Sequence, residues 1–133
     1  MIKFTYKIGN IMLKYKTCLL VATLINISAV WADEVIVITT HGEPAYYIGE
    51  KVNPNLTLKR GVTYQIQMNA PGHPLWIKTT IGTGTADTFN KGVTGNGKDR
   101  GTIMFIVPAD APDRLIYNCQ FHVVMHGLIN ITD

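Results

Sequence analysis

Leu115–Ile129 reads LIYNCQFHVVMHGLI, and its two ends are written for extended chain while its middle is not. Leu115–Asn118 (LIYN) and Leu128–Thr132 (LINIT) are apolar, β-branched or aromatic, the composition of half-buried strands. Between them, Cys119, His122 and Met125 fall three residues apart. A connection this short joins neighbouring strands as a tight loop. One end of a sheet therefore presents a thiol, an imidazole and a thioether together.

Those three groups are the ligand types of a mononuclear electron-transfer copper site, in which one cysteine and two histidines surround the ion and a methionine binds weakly on the axis. The loop supplies one histidine, so the second must come from elsewhere in the chain. His73 is the candidate, because Ala70–Trp76 (APGHPLW) places it after a turn and before a strand. His126 directly follows Met125 and stands as an alternative fourth ligand. His41 lies beside Gly42 in a turn and suggests no role.

Strand patterning extends outward from this loop. Glu34–Thr40, Ala45–Ile48, Leu56–Leu58, Val62–Met68, Leu75–Thr79 and Thr102–Val107 read as strands, with turns at Gly42-Glu43-Pro44, Asn53-Pro54-Asn55, Asn69–Gly72 and Pro108–Asp113. Val62, Tyr64, Ile66 and Met68 alternate with polar residues, so they share one face. No stretch after residue 32 has a helical period. About seven or eight short strands with turn chemistry between them predict an all-β sandwich. Thr80–Arg100, with five glycines, is long for a bare connection. A short strand or helical turn is expected around Asp87–Asn90, or else the segment covers a sheet edge. Its Gly82-Thr83-Gly84 lacks the Lys-Ser/Thr ending of a phosphate loop.

The chain has 133 residues, 12 basic and 9 acidic, for a net charge of +3. The surplus is confined to residues 1–32, where Lys3, Lys7, Lys14 and Lys16 meet no acid; residues 33–133 carry 8 basic and 9 acidic groups, a net of −1. Basic residues followed by the uncharged run Cys18–Trp31 have the form of a secretory signal peptide, too short to span a bilayer well. Val30 and Ala32 suit cleavage before Asp33, and Met12 is an alternative start. The expected organisation is thus a signal peptide at 1–32 and one domain at 33–133, periplasmic or secreted. That domain keeps one cysteine, Cys119, so it closes no internal disulfide.

At this point the chain resembles a known family. Tyr117, Cys119, His122, Met125 and Gly127 match the C-terminal ligand loop of the cupredoxins, the type 1 blue copper proteins such as plastocyanin, amicyanin and azurin. The two-residue gaps resemble the short amicyanin kind of loop. Thr102–Asp113 resembles the strand and turn before it, and His73 matches the upstream histidine. The resemblance implies a Greek-key β-sandwich and one copper ion held by His73, Cys119, His122 and Met125. Plastocyanin-like members usually carry an asparagine after the upstream histidine, which helps tie the two ligand segments together. This chain has Pro74 there, which leaves the hydrogen bonding around the ligands, and with it the reduction potential, open.

The expected function is one-electron transport by a monomer that meets a redox partner transiently, with Phe121, Val123, Val124 and Leu128 as an apolar docking rim. The alternatives are copper delivery, a cupredoxin-like module without redox role, and a metal-free sandwich paired to another chain through Cys119. An enzyme is disfavoured, because four protein ligands leave no open position for substrate. The near-neutral domain has no basic patch for nucleic acid. No membrane contact is expected after removal of the signal.

Overall fold

The computed structural model describes residues 34–133. The signal peptide expected at 1–32 and the cleavage position before Asp33 lie outside the described residues. The described chain is all β, with ten strands and no helix. They are β1 (Glu34–Thr39), β2 (Tyr47–Ile48), β3 (Lys51–Val52), β4 (Leu56–Lys59), β5 (Thr63–Asn69), β6 (Leu75–Lys78), β7 (Val93–Thr94), β8 (Arg100–Ile106), β9 (Arg114–Cys119) and β10 (His126–Thr132).

Seven of these exceed two residues, and each lies within two residues of where patterning places it. β2 falls inside the strand expected at Ala45–Ile48, and the other two, β3 and β7, raise the count above the expected seven or eight. Each of those two is a two-residue pairing without alternation, so periodicity does not announce it. The strand in the glycine-rich segment is at Val93–Thr94, not around Asp87–Asn90; there only Thr88 pairs, in an isolated bridge to Lys78. The reason is local. The Asn96 side chain takes the place of a neighbouring strand, accepting from the Ile77 amide at 2.8 Å and donating to the Phe89 carbonyl at 3.1 Å.

The strands form two mixed sheets, ordered β3-β2-β1-β5-β8-β7 and β4-β10-β9-β6. β1 runs parallel to β5, with Ile36 opposite Ile66, and β4 runs parallel to β10, with Ile129 opposite Leu56. All other pairings are antiparallel. Alternate residues point inward from both layers. Ile38, Tyr64, Ile66, Met68, Ile103 and Phe105 meet Leu58, Leu75, Ile77, Leu115, Tyr117 and Ile129 in one core. This interdigitation of two apolar faces is what holds a sandwich together.

β9 breaks the alternation: Leu115 through Cys119 are all buried. Its inward residues face the core, and its outward residues are covered by the glycine-rich segment. Gly82 and Gly84 lie over Lys78 and Asn118, and a side chain at Gly97 (φ +86°) would run into Trp76. The segment also bridges the β6 edge at Leu75–Lys98 and Lys78–Thr88. It therefore shields an otherwise open edge strand. No helix among the described residues is long and apolar enough to cross a membrane.

Candidate metal centre

Two pieces of chain meet at one end of the sandwich. The first is the turn before β6. Gly72, at φ +80°, takes the left-handed conformation that glycine adopts without strain. Its amide donates to the Asp99 carboxylate at 2.8 Å, and the His73 amide donates to the Ala70 carbonyl at 2.9 Å. The second piece is the loop between β9 and β10. Leu75 pairs with Cys119, and the Gln120 amide donates to the Pro74 carbonyl at 2.9 Å, so sheet pairing itself brings His73 beside the loop.

His73, Cys119 and His122 converge, with their donor atoms within 4.8 Å of one another. The two Nδ1 atoms are 3.3 Å apart. Cys119 Sγ lies 3.6 Å from Nδ1 of His122 and 3.9 Å from that of His73. The circumcentre of this triangle is about 2.1 Å from each atom, and metal–nitrogen and metal–sulfur bonds at comparable sites run about 2.0–2.1 and 2.3 Å. The donor set therefore has the size of an ion's coordination triangle before any ion is placed. Thiolate plus two imidazoles is also the soft, mixed set that copper takes in blue sites.

Burial grades across the site. Cys119 is fully buried and is the free cysteine of the described chain. The histidines are half-buried at the mouth. Burial, and then the charge of His122, push the His73 imidazole below its usual pKa, against an opposing pull from Asp99. A neutral ring keeps the lone pair a metal needs. Met125 is fully buried on the same loop. Its amide donates to the His122 carbonyl at 3.1 Å, and its carbonyl accepts from the Cys119 amide at 2.9 Å, which closes the loop on itself. His126 is not in the converging group; its Nδ1 lies 2.6 Å from the Val123 carbonyl. His41 stacks on Tyr47 with ring centroids 4.1 Å apart, away from the group.

Several residues around the site escaped sequence reading. Tyr46, wholly buried, donates its hydroxyl to the His73 carbonyl at 2.8 Å. Burial first, and then the neighbouring Cys119, push its phenol far above the ordinary range, so it stays a donor. Asn53 takes a left-handed φ of +44°, accepts from the Tyr46 amide at 2.9 Å and donates to the Val124 carbonyl at 3.3 Å. Asn118 and Lys78 belong to the same surround. A lone Tyr or Asn far from the loop carries no spacing signal, and only topology shows that they arrive at it.

A sandwich whose thiol and two imidazoles meet at the end of β9 and β10 defines the cupredoxin fold, and the described chain has that fold. Among solved structures, the copper protein rusticyanin is similar, with a TM-score of 0.52 and 19% identity over 74% of this chain and 76% of that one. Reduced rusticyanin gives a TM-score of 0.51 and 21% identity over 74% and 78%. At such identity the likeness shows the fold. No family model matches the chain, and no curated protein does.

Proposed function

We propose that the chain is an exported mononuclear type 1 copper protein that carries one electron at a time, with copper held by His73, Cys119, His122 and axially by Met125. The observation that carries this reading is the coordination-sized triangle of Cys119, His73 and His122 at the end of a cupredoxin sandwich. The copper ion supplies the one-electron couple between Cu(I) and Cu(II). The chain's own part is to hold the donors and limit access of water. Sheet pairing on both sides of Cys119 and the hydrogen bonds within the loop fix the donors without the ion. A frame that does not rearrange between oxidation states suits fast electron exchange.

The rim fits transient docking. Phe121, Val123 and Val124 are 58%, 47% and 60% exposed around the half-buried histidines. Small apolar contacts of this kind suit weak redox encounters between a monomer and a partner protein. Export is supported by the form of residues 1–32, basic residues followed by an uncharged apolar run. The activity is carriage rather than catalysis, since four protein donors leave no site for substrate.

The test is protein-film voltammetry of the copper-loaded domain. A reversible one-electron wave with fast exchange supports the carrier. Irreversible behaviour, with rapid handover of copper to a chelating acceptor, identifies a delivery protein instead.

A further inference from the structure

Asn118 sits at the centre of the site's surround and is completely buried. Its Oδ1 accepts from the Gly82 amide at 2.9 Å. Its Nδ2 faces three carbonyls, those of Cys119 at 3.2 Å, His122 at 3.1 Å and Met125 at 3.0 Å. A donor on one side and three acceptors on the other fix which end of the amide is which. These carbonyls belong to the three residues of the loop that carry metal donors. One carboxamide thus grips the backbone of all three, although its two hydrogens must be shared among them.

The grip is itself anchored. The segment that supplies the Gly82 amide is held by Lys78, which is 2% exposed. Its Nζ donates to the Gly82 carbonyl at 2.7 Å and to the Gly84 carbonyl at 3.3 Å, and no carboxylate among the described residues pairs with it. The Gly84 amide in turn donates to the Gln120 carbonyl at 2.8 Å, inside the loop. A buried ammonium without a counter-charge is costly. Here its hydrogen bonds go to a glycine segment with little packing of its own, and they fix that segment's amides on β9 and the loop.

We infer that Asn118, braced by Lys78 through Gly82 and Gly84, is the positioning residue that sets the metal loop before metal arrives. This rests on the copper reading above for its consequence, but not for the brace. It also accounts for Pro74. The ligand segments are joined by the Gln120–Pro74 backbone bond, and the loop's shape is set from β9 rather than from a side chain beside His73.

The test uses the folded domain with Asn118→Ala and Lys78→Met, the latter keeping the apolar stem while removing the ammonium. In metal-free protein, amide hydrogen exchange at Cys119 and Met125 is expected to quicken at least tenfold in Asn118→Ala, and to a lesser degree in Lys78→Met. The Ile131 amide, bonded to the Asp113 carbonyl at the far end of β10, should not change. Competition for Cu(II) against a chelator should show binding about 10- to 100-fold weaker in Asn118→Ala, the usual cost of losing an outer partner of the ligands. Loop exchange and Cu(II) affinity both within twofold of wild type overturn the inference, as does uniform quickening that includes Ile131. Should Asn118→Ala fail to fold, Lys78→Met decides, and a loop unchanged in that variant overturns the brace. A wild-type chain that binds no Cu(II) sinks the proposed function, while the exchange result still decides for or against the brace.

Discussion

Gly127 follows the metal loop by two residues and pairs with Tyr117 across β9 and β10. Its φ is not in the left-handed region, so the requirement for glycine is spatial. A Cβ there would run into the ring and hydroxyl of Tyr117. Tyr117 has little room to yield. It is 1% exposed, its hydroxyl donates to the Pro54 carbonyl at 2.6 Å, and its ring lies 6.0 Å from that of Tyr46. Gly127→Ala therefore forces overpacking, at about 2 kcal/mol, and displaces a buried hydrogen bond, at about 1 kcal/mol. Stiffening the unfolded chain returns about 0.7 kcal/mol. The net loss is about 2 kcal/mol, and with an m-value of about 2 kcal/mol per molar urea the midpoint falls by about 1 M. Equilibrium urea unfolding of metal-free protein measures it. In a Tyr117→Leu background the same substitution should cost under about 1 kcal/mol, since the obstructing ring is gone and the two sites are coupled. A midpoint shift below about 0.2 M, or full additivity with Tyr117→Leu, refutes the packing argument.

Three further outcomes are expected. His126→Ala should leave the visible spectrum of the copper-loaded protein unchanged, because that imidazole lies against the Val123 carbonyl and outside the donor group; a changed spectrum makes His126 a ligand. If Met125 is the axial donor, as proposed, Met125→Leu should keep the thiolate-derived band and raise the reduction potential in voltammetry, because an apolar group in its place disfavours the more charged Cu(II). Metal-free protein should lose stability on acidification through the His73 range. The folded pKa lies below the ordinary 6.5, so this contribution is complete above 6.5 and is lost as pH falls through the folded value. His73→Gln should flatten that part of a plot of urea midpoint against pH.

The metal loop and the long strands were legible because each writes a pattern in the chain. Alternation at Val62–Met68 marks a face, and three donor types at fixed spacing mark a loop. The surround was not legible, for a physical reason. Tyr46 reaches the carbonyl of His73, 27 residues away, and Asn53 reaches the carbonyl of Val124, 71 residues away. Such contacts depend on sheet order, and sheet order includes two parallel pairings that adjacency along the chain does not imply. Asn118 was read as an ordinary strand residue because nothing in Leu115–Asn118 tells which face is covered by the glycine-rich segment. The same segment misled the placement of its strand, since a side-chain amide, Asn96, does the pairing at the β6 edge. Pro74 stands where the plastocyanin pattern has an asparagine, and its tie to the loop runs through backbone: its carbonyl accepts from the Gln120 amide, as the carbonyl of any residue there could.

The central claim is that Cys119, His73 and His122 bind one copper ion through the thiolate. The most direct measurement is the visible absorption and paramagnetic resonance spectrum of residues 33–133 loaded with one equivalent of Cu(II), beside a Cys119→Ser variant treated alike. The expected result is an intense thiolate-to-copper band in the wild type, with both band and its resonance signature lost in Cys119→Ser. A weak, tetragonal Cu(II) spectrum that is the same in both proteins would contradict it.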